Sequence, residues 1–585
     1  HKKEKQLFKL FKYLKPYWKM ILITSIILLA QVVINLLVPN LLSDMIRCID
    51  PSLGNKAIIQ ILCKGGIALL AVLGVIVCQI STSYFSSKIA MGFGRDVRSA
   101  VFKKTQRVAL NEFYSISTSS LINRTTNDIT QVQQVILMAF RVMLNAPIIL
   151  IGGCIMAFSL DTQLPFVIIA IIPLLILLFV VVGKLIIPLF KVMQTNVDNL
   201  TTVTRENLTG VRVIRAFNTE EQENQRFAKV NDMVSKVNTK ANVIMGINMP
   251  TVELIFSLCI VLLLYFGALK GSSVADITAL IQYGTRIMMG CIMMVMMFIT
   301  IPRASASARR INEILDLPET ILSNDKVKTY KTGPYIGKLE FKNVTFKFDG
   351  AENPTLKDLS FKVEPGQTLA IIGGTGSGKS TVINLIPRFY DVTSGEILLD
   401  DVDLRDYNPK ELRQHIALAS QSVELFGGTI KENLMYGNPN ATDEEIKQAT
   451  KIACADSFIE AKPEGYNYMI QKGAGNLSGG QKQRLNIARS LLKKPCVYIF
   501  DDTFSALDFK TDATIRKNIK DNIKDATIII VAQRVNTIQN ADKIIVLNDG
   551  KVVGQGTHDQ LLQDCPEYKE IVESQTKQNR VKGVE

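Results

Sequence analysis

The chain has 585 residues, 47% of them hydrophobic, and a positive mean hydropathy, more apolar than a soluble domain usually is; membrane spans are expected. Its formal charge of +14 comes without the basic–aromatic stripe that nucleic-acid binding would need, so attraction to an anionic membrane leaflet accounts for the bias better. Nine cysteines lie scattered without paired spacing, most in or beside apolar segments, which argues against a disulfide framework or a zinc site.

In residues 1–18, Leu7, Phe8, Leu10, Phe11 and Leu14 interleave with Lys5, Lys9, Lys12 and Lys15. This reads as an amphipathic elbow helix on the membrane surface with Trp18 at the interface; a solvated basic tail would leave the apolar face unexplained. The following apolar run is too long for a cleavable signal and lacks a small-residue cleavage site. Six stretches are long enough to span a bilayer: 19–44, 57–87, 134–158, 163–188, 243–269 and 276–301. Segments 1–19, 88–133 and 190–240 carry seven, seven and eight Lys and Arg, against two, none and one in 45–56, 159–163 and 270–276. The positive-inside rule therefore places the N-terminus and both long loops in the cytoplasm. Helical periodicity in 88–133 and 190–240 extends the helices well beyond the bilayer.

Arg141, Glu253 and Arg286 fall in apolar spans, where an ionisable group is costly and tends to face a cavity or partner; Arg141 and Glu253 sit close enough to an end to reach water. The last span holds Met288, Met289, Met293, Met294, Met296 and Met297. Flexible thioethers suit a surface for varied apolar ligands, and they equally suit ordinary packing or lipid contact.

From about residue 337 the composition changes. A linker is expected at 317–336, an α/β domain at 337–575 and a tail at 576–585. Gly373, Gly374, Thr375, Gly376, Ser377, Gly378, Lys379 and Ser380, followed by Thr381, fit the phosphate loop G-x-x-x-x-G-K-[ST] between the apolar run 367–372 and the periodic stretch 382–386. Glycines let backbone N–H groups approach phosphates, Lys379 supplies a point charge, and the Ser380 hydroxyl can hold Mg²⁺. About a hundred residues later stands LSGGQ: Leu477, Ser478, Gly479, Gly480 and Gln481. The apolar run 497–500 ends in Asp501, the arrangement that sets a carboxylate near Mg²⁺.

With both GGTGSGKS and LSGGQ present, the chain resembles the ATP-binding cassette (ABC) family, and SSLINRTTND (119–128), ENLTGVRVIRAF (206–217) and ASARRINEILD (306–316) are similar to its exporter branch. The resemblance implies an α-helical six-span membrane domain, 19–316, followed by an α/β P-loop cassette, with coupling helices near 111–118 and 210–217. It implies two cassettes sandwiching two nucleotides head to tail, so that Ser478, Gly479 and Gly480 face the terminal phosphate on a second chain. It implies that Phe348, at the end of the second strand, stacks on adenine; a phenylalanine of the strand core is the alternative. By the same resemblance Gln421 links Mg²⁺ and the attacking water to the membrane domain, and Asp508 in SALD contacts the opposite cassette.

Two departures bear on activity. The family's catalytic glutamate is replaced by Asp502, one methylene shorter, and its switch histidine by Gln533, which cannot become cationic. His1, His415 and His558 do not occupy the switch position. A further departure, QKGAG at 471–475, replaces the usual acidic-and-arginine stretch. The expectation is one half of a heterodimeric exporter of hydrophobic or amphipathic, drug-like compounds in a bacterial plasma membrane. It would bind ATP and Mg²⁺ at its own degenerate site and complete the competent site of a partner chain. A homodimeric lipid or multidrug exporter, or a nucleotide-gated regulatory membrane protein, are the alternatives.

Overall fold

The apolar stretches become six helices that run beyond what a bilayer requires. The computed structural model describes residues 4–49, 54–321 and 334–582 and falls into two units, one of His1–Gln106 with Thr118–Asp316, the other of Arg107–Ser117 with Leu317–Glu585. Residues 1–3 of the expected elbow, 322–333 of the expected linker and 583–585 of the expected tail lie outside the described residues, as does the side chain of Met296.

In the first unit α1 (Glu4–Leu10) leads through a tight 3-10 stretch containing Pro16 into α2 (Trp18–Arg47), and α3 follows (Gly54–Thr105). Leu7 and Leu10 are buried while Phe8 and Lys9 are exposed, so the amphipathic pattern is used on one face. A short helix, α4 (Leu110–Tyr114), lies in the stretch that groups with the second unit; the expected membrane domain of 19–316 differs in that piece.

The third long helix is assembled from α5 (Thr118–Asn123), α6 (Ile129–Met138) and α7 (Asn145–Leu160), with π-helical turns at Arg124–Asp128 and Ala139–Met143. Then come α8 (Pro165–Thr209), α9 (Val211–Ala216), α10 (Glu220–Lys270) and α11 (Val274–Leu315). Four of the expected spans lie inside single helices (α2, α3, α10 and α11), 134–158 runs through α6 and α7 of the third long helix, and 163–188 begins two residues ahead of α8; six helices are long and apolar enough to cross a membrane among the described residues. Leu28, Leu36, Ala157, Leu263 and Tyr283 share one core, and Tyr283 donates its hydroxyl to the Leu36 carbonyl at 2.8 Å. Arg141 donates to the Ser83 and Ser87 hydroxyls, Glu253 is exposed on α10, and Arg286 is half-buried.

The second unit holds β1 (Leu339–Phe346), β2 (Leu356–Val363), β3 (Thr368–Gly373), β4 (Ser394–Leu399), β5 (Val402–Asp403), β6 (Ile416–Ala419), β7 (Gly428–Thr429) and β8 (Met469–Ile470). Further along are β9 (Val497–Asp501), β10 (Thr527–Val531), β11 (Lys543–Asn548) and β12 (Lys551–Gly556). An antiparallel sheet runs β2-β1-β4-β5, a mostly parallel one β12-β11-β3-β10-β9-β6. The central strands read as unbroken apolar runs because both faces are covered. Leu369 and Ile371 of β3 join Val497, Ile499 and Ile529 in one core, and Ala370 and Ile372 join Tyr498, Phe500 and Ile528 in the other. Phe348 lies two residues past β1, the first strand of this unit; the expected placement after a second strand is corrected. The C-terminal helix is continuous from Pro566 to Lys582 and crosses the expected boundary at 576.

Candidate functional site

Parallel strands deliver their carboxyl ends to one edge, where α/β sheets place ligands. At that edge β3 ends at Gly373, β9 at Asp501, β6 two residues before Gln421 and β10 two residues before Gln533. The site is thus built from four adjacent strands, β3-β10-β9-β6.

The loop after β3 turns into α12 (Lys379–Leu385). Gly376 and Gly378 take φ of 83° and 98°, which glycine adopts without steric cost. A Cβ on Gly374 or Gly376 would meet nothing within 4 Å, so their open side is free for a phosphate to approach, whereas one on Gly373 would fall 2.2 Å from the Leu547 carbonyl. Lys379 Nζ donates to the carbonyls of Gly373 at 2.8 Å and Gly374 at 2.6 Å, and burial lowers its pKa. Ser377 and Thr381 are buried, while Gly374, Thr375 and Ser380 are exposed at the mouth. Burial, and next the adjacent Asp502, push the Asp501 carboxyl up to about 6.

Asp502 is buried and sits at φ 46°, a left-handed turn that aspartate tolerates better than bulkier residues. Its N–H donates to the Val531 carbonyl at 2.9 Å, fixing the turn to β10. Its Oδ2 accepts from Gln421 Nε2 and from Gln533 Nε2, each at 3.1 Å. Burial raises its pKa against the hydrogen bonds that oppose the shift. Gln421, Asp502 and Gln533 therefore meet at one oxygen atom. His415 stacks on Tyr335 with ring centroids 3.5 Å apart, and His558 Nδ1 lies 2.7 Å from the Tyr568 hydroxyl, so both rings are engaged elsewhere.

The oxygen-rich set of Ser380, Gln421 and Asp501 suits a hard cation such as Mg²⁺. Phosphate and water would supply the remaining ligands of such an ion. The exposed glycine backbone beside Lys379 fits the phosphates that would supply them. Phe348 is half-buried, edge-on to Phe346 (4.7 Å, 84°) and to Tyr390 (5.5 Å, 84°), a member of an aromatic cluster that still reaches the surface.

Ser478 caps the signature helix, Gly479–Leu492, in a capping box: its hydroxyl accepts from Gln481 N at 3.3 Å and its own N–H is taken by Gln481 Oε1 at 3.0 Å. The Ser478 hydroxyl hydrogen remains available to donate, and Gly479 is exposed beside it at a helix N-terminus. Leu477 is buried and anchors the turn, and Gly480 is half-buried. Asp508 caps the helix Phe509–Asn522 by accepting from Thr511 N at 2.9 Å.

Three contributors escaped sequence reasoning. Gln483 and Asn486, three apart on the signature helix, donate to the carbonyls of Gln421 (2.9 Å) and Ser420 (3.0 Å), tying that helix to the Gln421 loop. Their signal was a pair of amides on a buried helical face. Gln575, on the C-terminal helix, donates to the Gln533 carbonyl at 2.7 Å and accepts from Val535 N at 2.9 Å. Gln575→Ala removes both bonds, worth about 1 kcal/mol each. The expected outcome is a roughly tenfold or greater rise in the hydrogen-exchange rate of peptide 533–535; unchanged protection would show that the clamp does not hold the loop.

Models of two families match: the ABC transporter transmembrane region over residues 21–300 and the ABC transporter family over 356–505. An uncharacterized ABC transporter ATP-binding protein of Mycobacterium tuberculosis is 36% identical over 98% of this chain and 99% of its own length. The chain belongs to the ABC transporter family. An ATP-dependent lipid A-core flippase of Haemophilus influenzae is 34% identical, covering 86% of this chain and 87% of the relative. The structure of a bacterial Atm1-family ABC exporter with ATP bound superposes with a TM-score of 0.80 at 22% identity, covering 95% of this chain and 98% of that one. This transporter therefore has the exporter fold, six apolar helices followed by a P-loop cassette, and is a multi-pass membrane protein of an ATP-driven family.

Proposed function

We propose that this transporter is the degenerate-site half of a heterodimeric exporter that moves hydrophobic or amphipathic, drug-like compounds out of a bacterial cell. One observation carries the reading: the carboxylate where hydrolysis needs a base is a shortened Asp502, with both site amides, Gln421 and Gln533, donating to one of its oxygens. A base must reach its water at hydrogen-bond distance, and a retraction of about 1 Å can cost about a hundredfold. Gln533 can hold a terminal phosphate by hydrogen bonding, but it cannot carry a proton as imidazole does. ATP with Mg²⁺ would then be held at Gly373–Thr381, Phe348, Asp501 and Gln421 and be cut slowly. When bound, Mg²⁺ would offset phosphate charge beside Asp501.

A second chain is favoured by α9. Leu208 at the end of α8, Val213 on α9 and Phe217 at the C-cap of α9 are 74%, 60% and 75% exposed, apolar side chains that suit docking on a partner's cassette. By contrast the segment 107–117 meets its own cassette unit, through Asn111 to Asp349 and Thr320 to Glu112. Ser478, Gly479 and Gly480 would complete the partner's competent site, and Asp508 would line the contact between cassettes. The cassette and the N-terminus would face the cytoplasm by the Lys and Arg bias of the loops.

ATPase activity of the chain purified alone and with its partner in lipid tests the proposal. Slow turnover alone and rapid turnover in the pair is expected; vigorous turnover by the chain alone would defeat the heterodimer. The lipid A-core flippases among the relatives favour lipid as a second cargo reading, separable by ATP-dependent flipping of labelled lipid in proteoliposomes.

A further inference from the structure

Two exporter-like segments of the sequence meet inside the membrane domain. Asp128 closes the π-helical turn Arg124–Asp128 and is 2% exposed. Its Oδ1 accepts from the Ser307 hydroxyl at 2.8 Å, its Oδ2 from Arg310 Nε at 2.7 Å, and Arg310 Nη2 closes the fork on Oδ1. Such a two-pronged guanidinium–carboxylate pair fixes orientation as well as distance. One turn earlier, Arg124 donates to the Arg310 carbonyl at 3.0 Å and pairs with Glu313 at 2.9 Å. π-helical turns recur at functional sites, and here one presents both charged residues, Arg124 and Asp128, to α11.

The position along the chain gives this cluster its meaning. The chain re-enters the membrane domain from the cassette unit at Thr118, ten residues before Asp128. It leaves for the cassette at Asp316, six residues after Arg310. At 1.5 Å per helical residue the cluster thus sits within about 15 Å and 9 Å of those two covalent crossings. A displacement of the cassette reaches the third long helix and α11 directly through these crossings, and the cluster pins the two helices to one another close to both.

We propose that Asp128 and Arg310 are positioning residues for transport: they make the third long helix and α11 move as one body, so that a single cassette displacement is delivered to both. Ser307 orients the carboxylate, and Arg124 with Glu313 resists rotation of one helix about the other. The proposal rests on family membership, not on the degenerate site. It makes a clear separation: the cluster carries motion and takes no part in nucleotide binding or cleavage.

The test uses the full-length chain in lipid nanodiscs, assembled with whichever second half it takes, itself included. Hydrogen exchange is followed in peptides of α7 and α11 with and without ATP, Mg²⁺ and vanadate, beside ATP affinity and the melting temperature. For Asp128→Asn the nucleotide-driven change in both helices is expected to fall at least tenfold while ATP affinity stays unchanged. The exchanged pair Asp128→Arg with Arg310→Glu is expected to restore it, which a merely structural loss would not permit. Arg310→Lys keeps charge without the fork and is expected to give an intermediate response, so the idea stays testable if Asp128→Asn fails to fold. A full response in Asp128→Asn or in Arg310→Lys would overturn the proposal. So would failure of the exchanged pair to restore the response at an unchanged melting temperature.

Discussion

Asp502→Glu combined with Gln533→His is expected to raise single-turnover ATP cleavage at this chain's own phosphate loop about a hundredfold. That is a lowering of the barrier by about 3 kcal/mol. The added methylene moves the carboxylate about 1.5 Å farther from a backbone that is already fixed. The Asp502 N–H is bonded to Val531, and β9 ahead of it is paired with β10, so the longer side chain extends into the site without displacing the turn. An imidazole at 533 replaces an amide that only donates to Asp502 with a group that can also exchange a proton near neutral pH. Each single variant is expected to fall well short of the pair, because base and switch act on the same water and phosphate. The measurement is radiolabelled nucleotide trapped at each site of the assembled transporter, counted separately for the two chains. A double variant as slow as the unaltered chain would place the cause of slow cleavage elsewhere than in these two residues.

The layout of the fold was legible because its parts obey local rules. Ala370 and Ile372 on one face of β3, with Leu369 and Ile371 on the other, make a strand buried twice over, which reads as an apolar run. The phosphate loop was legible because positive φ at Gly376 and Gly378 and the close carbonyl of Leu547 behind Gly373 demand glycine. What stayed hidden depends on which strands are neighbours. Gln421, Asp502 and Gln533 were each singled out, yet their convergence on one oxygen follows from β6, β9 and β10 lying side by side. Nor does the local pattern of 128 or 310 reveal a pairing across more than 180 positions. The grouping of 107–117 with the cassette and the reach of Gln575 to residue 533 were hidden for the same reason.

Gly479→Glu separates the two sites that this chain is proposed to serve. A Cβ at Gly479 would meet nothing within 4 Å, so the side chain enters open space, and the residue sits in the first turn of the signature helix. A carboxylate there is favourable to the helix itself, by about 0.3–1 kcal/mol, because it faces the positive end of the helix dipole. The capping box of Ser478 and Gln481 is left in place. The melting temperature is therefore expected to hold or rise slightly. A terminal phosphate presented by a partner chain would meet the same carboxylate as a like charge at close range, where one misplaced negative group costs several kcal/mol. ATP cleavage in the assembled pair is expected to fall by at least a hundredfold, while nucleotide binding at this chain's own Gly373–Thr381 loop persists. If cleavage continues undiminished with the variant folded, the exposed N-terminus of this helix does not face a nucleotide in the working assembly. The head-to-tail arrangement would then lose its support, because Ser478 and Gly479 are the donors this chain presents at the open end of that helix.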